Sequence, residues 1–138
     1  MLKLFRILPP AVLLLLAAGC AVAGQGPKQR IVATYPDLQI RWLGDYDLAW
    51  ADDGYVGLEH ALAVVTHRGI APARIQAASI QGVMTRSLQP IPTEVTGRPF
   101  FFDITLRVAG CDNRIEFRTT VTGRIVGERD PSDCLTTG

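Results

Sequence analysis

Two stretches in the second half of the chain place apolar residues at every second position, and a short run of turn-forming residues joins them. In 100–108, Phe100, Phe102, Ile104, Leu106 and Val108 fall on one side of an extended chain, with Phe101, Asp103, Thr105 and Arg107 on the other. In 114–121, Ile115, Phe117 and Val121 are apolar, while Arg114, Glu116, Arg118 and Thr120 are polar. A period of two is the spacing of a strand with one buried face. The link Ala109-Gly110-Cys111-Asp112-Asn113 is rich in residues that tolerate tight turns. The two runs therefore read as a β-hairpin, with Arg107 expected opposite Glu116. Thr122-Gly123 turns the chain once more and 124–130 returns, which completes a three-stranded meander.

Such a sheet needs a cover for its apolar face. The best helix spans 55–68, where Leu58, Ala61, Leu62 and Val65 follow the i, i+3, i+4, i+7 rule and form one stripe. Asp53 is placed to cap its start, and Gly69 supplies the stop after His67 and Arg68. Upstream, Leu38, Ile40 and Trp42 alternate with Gln39 and Arg41, so a half-buried strand is expected there. The stretch 75–88 reads as one irregular strand broken near Gly82, and 44–54 and 90–99 read as loops. The expected fold is α+β: one helix packed on an antiparallel sheet that ends in a three-stranded meander, within a single domain over 31–138.

The first residues read as a targeting segment. Lys3 and Arg6 precede an apolar run at 7–18, too short to span a ~30 Å hydrocarbon core as a helix. Leu16-Ala17-Ala18-Gly19-Cys20 resembles the lipobox of bacterial lipoproteins. That resemblance implies removal of 1–19 as a signal peptide, lipidation of Cys20 and a membrane anchor. Ala21 stands where an aspartate would signal retention at the inner membrane, which implies an outer-membrane lipoprotein facing the periplasm. Ala21-Val22-Ala23 offers a second cleavage site, and its use would give a soluble periplasmic protein beginning at Gly24. Residues 20–30 read as the lipidated cysteine and a tether. Export leaves Cys111 and Cys134 as a pair in an oxidising compartment, where a disulfide is expected. The meander supports this, because its return strand ends near the hairpin loop that holds Cys111.

Charge narrows the partners. Leaving out Lys3 and Arg6, twelve bases face thirteen acids, and such a balance argues against nucleic acid, which needs surplus cationic surface. The distribution is uneven. Residues 37–59 hold six acids and one base, whereas 60–129 hold nine arginines and five acids. Either the two stretches neutralise each other within the fold, or they form faces aimed at a partner.

No motif for catalysis stands out. His60 and His67 lie two helical turns (~10 Å) apart and cannot share one metal ion. Asp45, Asp47, Asp52 and Asp53 lack the spacing of a calcium loop. No metal and no cofactor is expected, and a pairing of Cys111 with Cys134 leaves no thiol for chemistry. The aromatic residues Tyr46 and Trp50, with Asp45 and Asp47 beside them, form the candidate binding surface, since exposed rings stack on sugars or peptides. The helix sequence Leu58-Glu59-His60-Ala61-Leu62-Ala63-Val64-Val65, the Gly69 stop and the turn Thr122-Gly123-Arg124-Ile125-Val126 resemble the secreted PepSY modules. The resemblance implies a non-catalytic binding or inhibitory module outside the cytoplasm. The leading expectation is thus an envelope lipoprotein that acts on another envelope protein. A cell-wall or glycan binder using the Tyr46/Trp50 loop and a small periplasmic hydrolase are the alternatives.

Overall fold

The hairpin forms the middle of the sheet in the computed structural model, which describes residues 25–44, 48–84 and 99–137. Five strands lie in sequence order: β1 (Gln39–Trp42), β2 (Ile75–Val83), β3 (Phe101–Val108), β4 (Ile115–Thr120) and β5 (Ile125–Arg129). From β2 to β5 all pairing is antiparallel. β1 departs from the expected antiparallel arrangement and runs parallel to β2. The reason is the long helix between them, which carries the chain back to the starting end of β1, as a parallel neighbour requires. The fold is α+β.

The alternation of β3 sorts as its sequence dictates. Phe102, Ile104, Leu106 and Val108 are buried, and Phe101, Asp103, Thr105 and Arg107 point to the other face. The register is two places from the expected one. Thr105 lies opposite Glu116, and Asp103 opposite Arg118, so Arg107 does not meet Glu116. Both registers would superpose the apolar faces. The observed one also gives Asp103 a two-pronged ion pair with Arg118, at 2.7 and 2.9 Å. The expected register would have placed Asp103 opposite Thr120.

The helix α2 (Ala51–His67) covers the apolar face. It starts four residues earlier than expected, directly after a 3-10 turn at Leu48–Trp50, so the end of the expected 44–54 loop is helical. Trp50 occupies the cap position without a side-chain bond, and Asp53 sits with Asp52 in the first turn, where negative charge favours the helix dipole. At the other end Gly69 adopts a φ of +104°. The Gly69 and Ile70 N–H groups donate to the carbonyls of Thr66 and Val65 at 3.1 and 3.0 Å. This is a Schellman ending, and it drives Ile70 into the core, where it is 1% exposed.

Two helical glycines set how closely α2 approaches the sheet. A methyl group added at Gly54 would lie 2.5 Å from the Trp42 ring, and one added at Gly57 would strike the Thr119 hydroxyl. Thr119 is fully buried on β4, and its Oγ1 has no hydrogen-bond partner. Leaving a buried hydroxyl unpaired costs about 1–3 kcal/mol. We expect Thr119→Val, which keeps the shape and removes the orphan group, to raise stability by about 1 kcal/mol in denaturant unfolding.

A further helix, α1 (Pro27–Thr34), takes up part of the stretch expected as a tether and runs four residues past it. It packs on α2 through Ile31, 2% exposed. Arg30 donates to both carboxylate oxygens of Glu59, at 2.8 and 2.9 Å. That bond is the main reason the Glu59 carboxyl is held below its ordinary range. No helix among the described residues is long and apolar enough to cross a membrane.

The C-terminus is fixed at the hairpin loop. Cys111 and Cys134 form a disulfide, with Cα atoms 6.1 Å apart. Asp130 accepts hydrogen bonds from the N–H groups of Cys134 and Leu135, at 3.0 and 2.9 Å. These start the short helix α3 (Cys134–Thr137) and hold Leu135 against the core. Asn113 Nδ2 donates to Ser132 Oγ at 2.6 Å across the same junction.

Candidate functional site

Both long faces of a sheet must be accounted for, and here the helices cover one. Against β2 to β5 lies α2. Apart from Val83 and Phe101, the outward positions of the strands are mostly small, polar or charged, and they stack in rows fixed by the register. One row crosses all five strands: Arg41, Ser79, Thr105, Glu116 and Arg129. A second comprises Gln39, Ala77 and Arg107, and Arg114 follows at the hairpin end of β4. A third comprises Gln81, Asp103, Arg118 and Gly127.

Charge divides this face into two halves. Toward β5 it is neutralised: Arg118 holds Asp103, and Arg129 approaches Glu116 at 3.7 Å. Phe101 lies under the Arg118 guanidinium, 5.5 Å from its ring centre. Around the depression that reaches from β1 to the start of β4 it is not. Arg41, Arg107 and Arg114 are exposed and have no carboxylate partner among the described residues. They border a shallow depression of about 270 Å³ floored by Ala77, Ser79 and Thr105.

The two oppositely charged stretches of the sequence do not neutralise each other through the ion pairs of the described residues. Glu59 is taken by Arg30, while Asp103, Glu116 and Glu128 pair with Arg118, Arg129 and Arg68 of their own stretch. Among the described residues Arg41, Arg74, Arg107, Arg114 and Arg124 are left without a carboxylate, and three of these, Arg41, Arg107 and Arg114, border one depression. Sequence reasoning did not single them out. Arg41 and Arg107 sit at polar strand positions and Arg114 just ahead of β4, places that by themselves mark only solvent-facing side chains.

The sequence-derived candidates fall elsewhere. Tyr46, Asp45 and Asp47 lie outside the described residues, as does Cys20. Trp50 is half-buried against the core at the start of α2. Trp42 also packs on the core. Its indole N–H donates to the Tyr55 hydroxyl at 3.2 Å, and it meets Tyr55 and Phe102 edge-on. Of the histidines, His67 is exposed, and His60 Nδ1 donates to the Gly123 carbonyl at 2.6 Å, which ties α2 to the β4–β5 turn. Among the described residues no three His, Cys, Asp or Glu side chains group as metal ligands would. The chain matches no known family model, no curated protein and no solved structure.

Proposed function

We propose that this chain is an exported, non-catalytic binding module that is anchored to the outer membrane through Cys20 and docks another envelope protein on the open face of its sheet. The observation that carries the reading is the one-sided cover. A five-stranded sheet with helices on one face presents a broad polar surface on the other, and the depressions on it are shallow and open rather than enclosed. Small-molecule and catalytic sites favour concave pockets that exclude water, whereas protein partners fit broad surfaces of this kind. The Cys111–Cys134 bond suits an oxidising compartment. A non-catalytic role outside the cytoplasm is also what the resemblance to PepSY modules implies.

Two measurements test it. The intact mass of the protein from the membrane fraction should carry acyl chains on Cys20, and a mass beginning at Gly24 would remove the anchor. A photo-reactive residue at Thr105 on the open face should cross-link one defined partner in living cells, whereas the same residue at Ala63, on the exposed side of α2, should not. Equal labelling from both positions, or turnover of a substrate by the purified chain, would sink the reading.

A further inference from the structure

The unpaired arginines differ from the rest of the face in what they lack and in how they are spaced. Arg41 stands on β1, and Arg107 and Thr105 on β3, with β2 between them. Adjacent strands are ~4.8 Å apart, so the two arginine-bearing strands flank a channel about 10 Å across. Between the two arginines its floor is low, because the outward residues of β2 there are Ala77 and Ser79. Arg41 and Arg107 lie in neighbouring rows, offset by two residues along the strand direction, which is ~6.6 Å. An extended peptide repeats its side chains on one face with that same period.

Guanidinium groups are planar forks that match carboxylates in two-point hydrogen bonds. Elsewhere in the protein they do this: Arg30 on Glu59 and Arg118 on Asp103 are both two-pronged. Arg41, Arg107 and Arg114 have the same chemistry and no acid among the described residues to use it on. Ser79 and Thr105 add hydroxyl groups at the channel floor.

We infer that the channel along β2 binds an extended acidic segment of a protein partner, with carboxylates two residues apart engaging Arg41 and Arg107 and with Arg114 closing the end. The inference rests on the reading of the open face as a docking surface, and it names the partner's chemistry. A flat anionic membrane fits less well, because Asp103 and Glu116 stand on the same face beside the channel. A bilayer would meet those carboxylates together with the arginines, whereas a strand lying over β2 meets the arginines alone.

The test uses the purified full chain and a fluorescent peptide of alternating Glu and Ser, followed by anisotropy. The peptide should bind, its affinity should fall as salt rises, and the all-Gln counterpart should not bind. Arg41→Gln combined with Arg107→Gln should weaken binding at least tenfold. Arg124→Gln, exposed ahead of β5 and outside the channel, should leave it within twofold. The substituted side chains are exposed, so an unchanged thermal midpoint will confirm that the double variant is folded. Absence of binding, equal binding of the Gln peptide, or binding indifferent to the double change overturns the inference. Arginine-dependent binding to phosphatidylglycerol vesicles without binding to the peptide overturns it in favour of a lipid headgroup. If Thr105 still cross-links a partner when the peptide fails, the docking surface stands and only its acidic occupant is lost. If Thr105 and Ala63 label alike, the docking reading itself has failed.

Discussion

Reducing the Cys111–Cys134 bond will lower the stability of the domain by about 3 kcal/mol. The two cysteines are 23 residues apart in sequence. Closing a loop of that length removes disorder from the unfolded chain worth about 3 kcal/mol in the chain-entropy model. For a domain of this size that is ~10 °C or more in the unfolding midpoint, out of a typical total of 5–15 kcal/mol. The native state loses something as well. The bond holds α3 at the hairpin loop, where Leu135 is only 9% exposed, and without it the tail will fray. Thermal unfolding with and without reductant measures the drop. Cys111→Ser combined with Cys134→Ser should match the reduced wild type in both conditions. Hydrogen exchange should quicken first in 130–137, while Ile80, Ile104 and Phe117, on three adjacent strands, stay protected. A midpoint insensitive to reductant would mean that the tail is held by the Asp130 cap and Leu135 alone.

That bond was legible in the sequence because two local signals agreed on it. The alternating runs placed Cys111 at the hairpin loop, and the meander returned the chain to the same end. The hairpin was equally legible, since burying one face of β3 leaves little choice about which residues turn inward. Its register was not. Both pairings satisfy the apolar pattern, and the choice between them depends on which acid reaches which arginine across the outer face. Pattern alone does not carry that information.

The candidate site was less legible for a related reason. Arg41, Arg107 and Arg114 are far apart in sequence, and each is unremarkable where it stands. They become a group only through the strand order, and that order includes a parallel pairing of β1 with β2. The parallel pairing follows from the length of α2, whose first four residues the sequence reading assigned to a loop. The charge asymmetry of the sequence did hold a trace of the site. Nine arginines against five acids in 60–129 leave a surplus, and after the ion pairs are made, part of that surplus lies beside β2.

Gly54 explains in part why the start of α2 was missed, and together with Gly57 it leads to the second large effect. Glycine in a helix interior is unfavourable by roughly 1 kcal/mol relative to alanine, so Gly54 reads as the end of the 44–54 loop, while Gly57 reads as part of the helix. Here the glycines are required by distance. The Gly57 position faces Thr119 so closely that any side chain would meet its Oγ1, with Cβ at 3.3 Å and Cγ2 at 3.4 Å behind it. Thr119 belongs to a strand paired on both sides, to β3 and to β5, so it cannot retreat. Gly57→Val should therefore destabilise the domain by about 2–3 kcal/mol, even though helix propensity alone favours it. The partner substitution separates collision from other causes. Thr119→Ala clears the space, so the double variant should recover ~1 kcal/mol or more of coupling energy in a double-mutant cycle. At a helical site without a close neighbour the same pair of changes would be additive. Denaturant unfolding of the wild type, both single variants and the double variant decides it. Additive losses would mean that α2 already stands far enough from β4 to accept a side chain, and that Gly57 is not what sets the distance between helix and sheet.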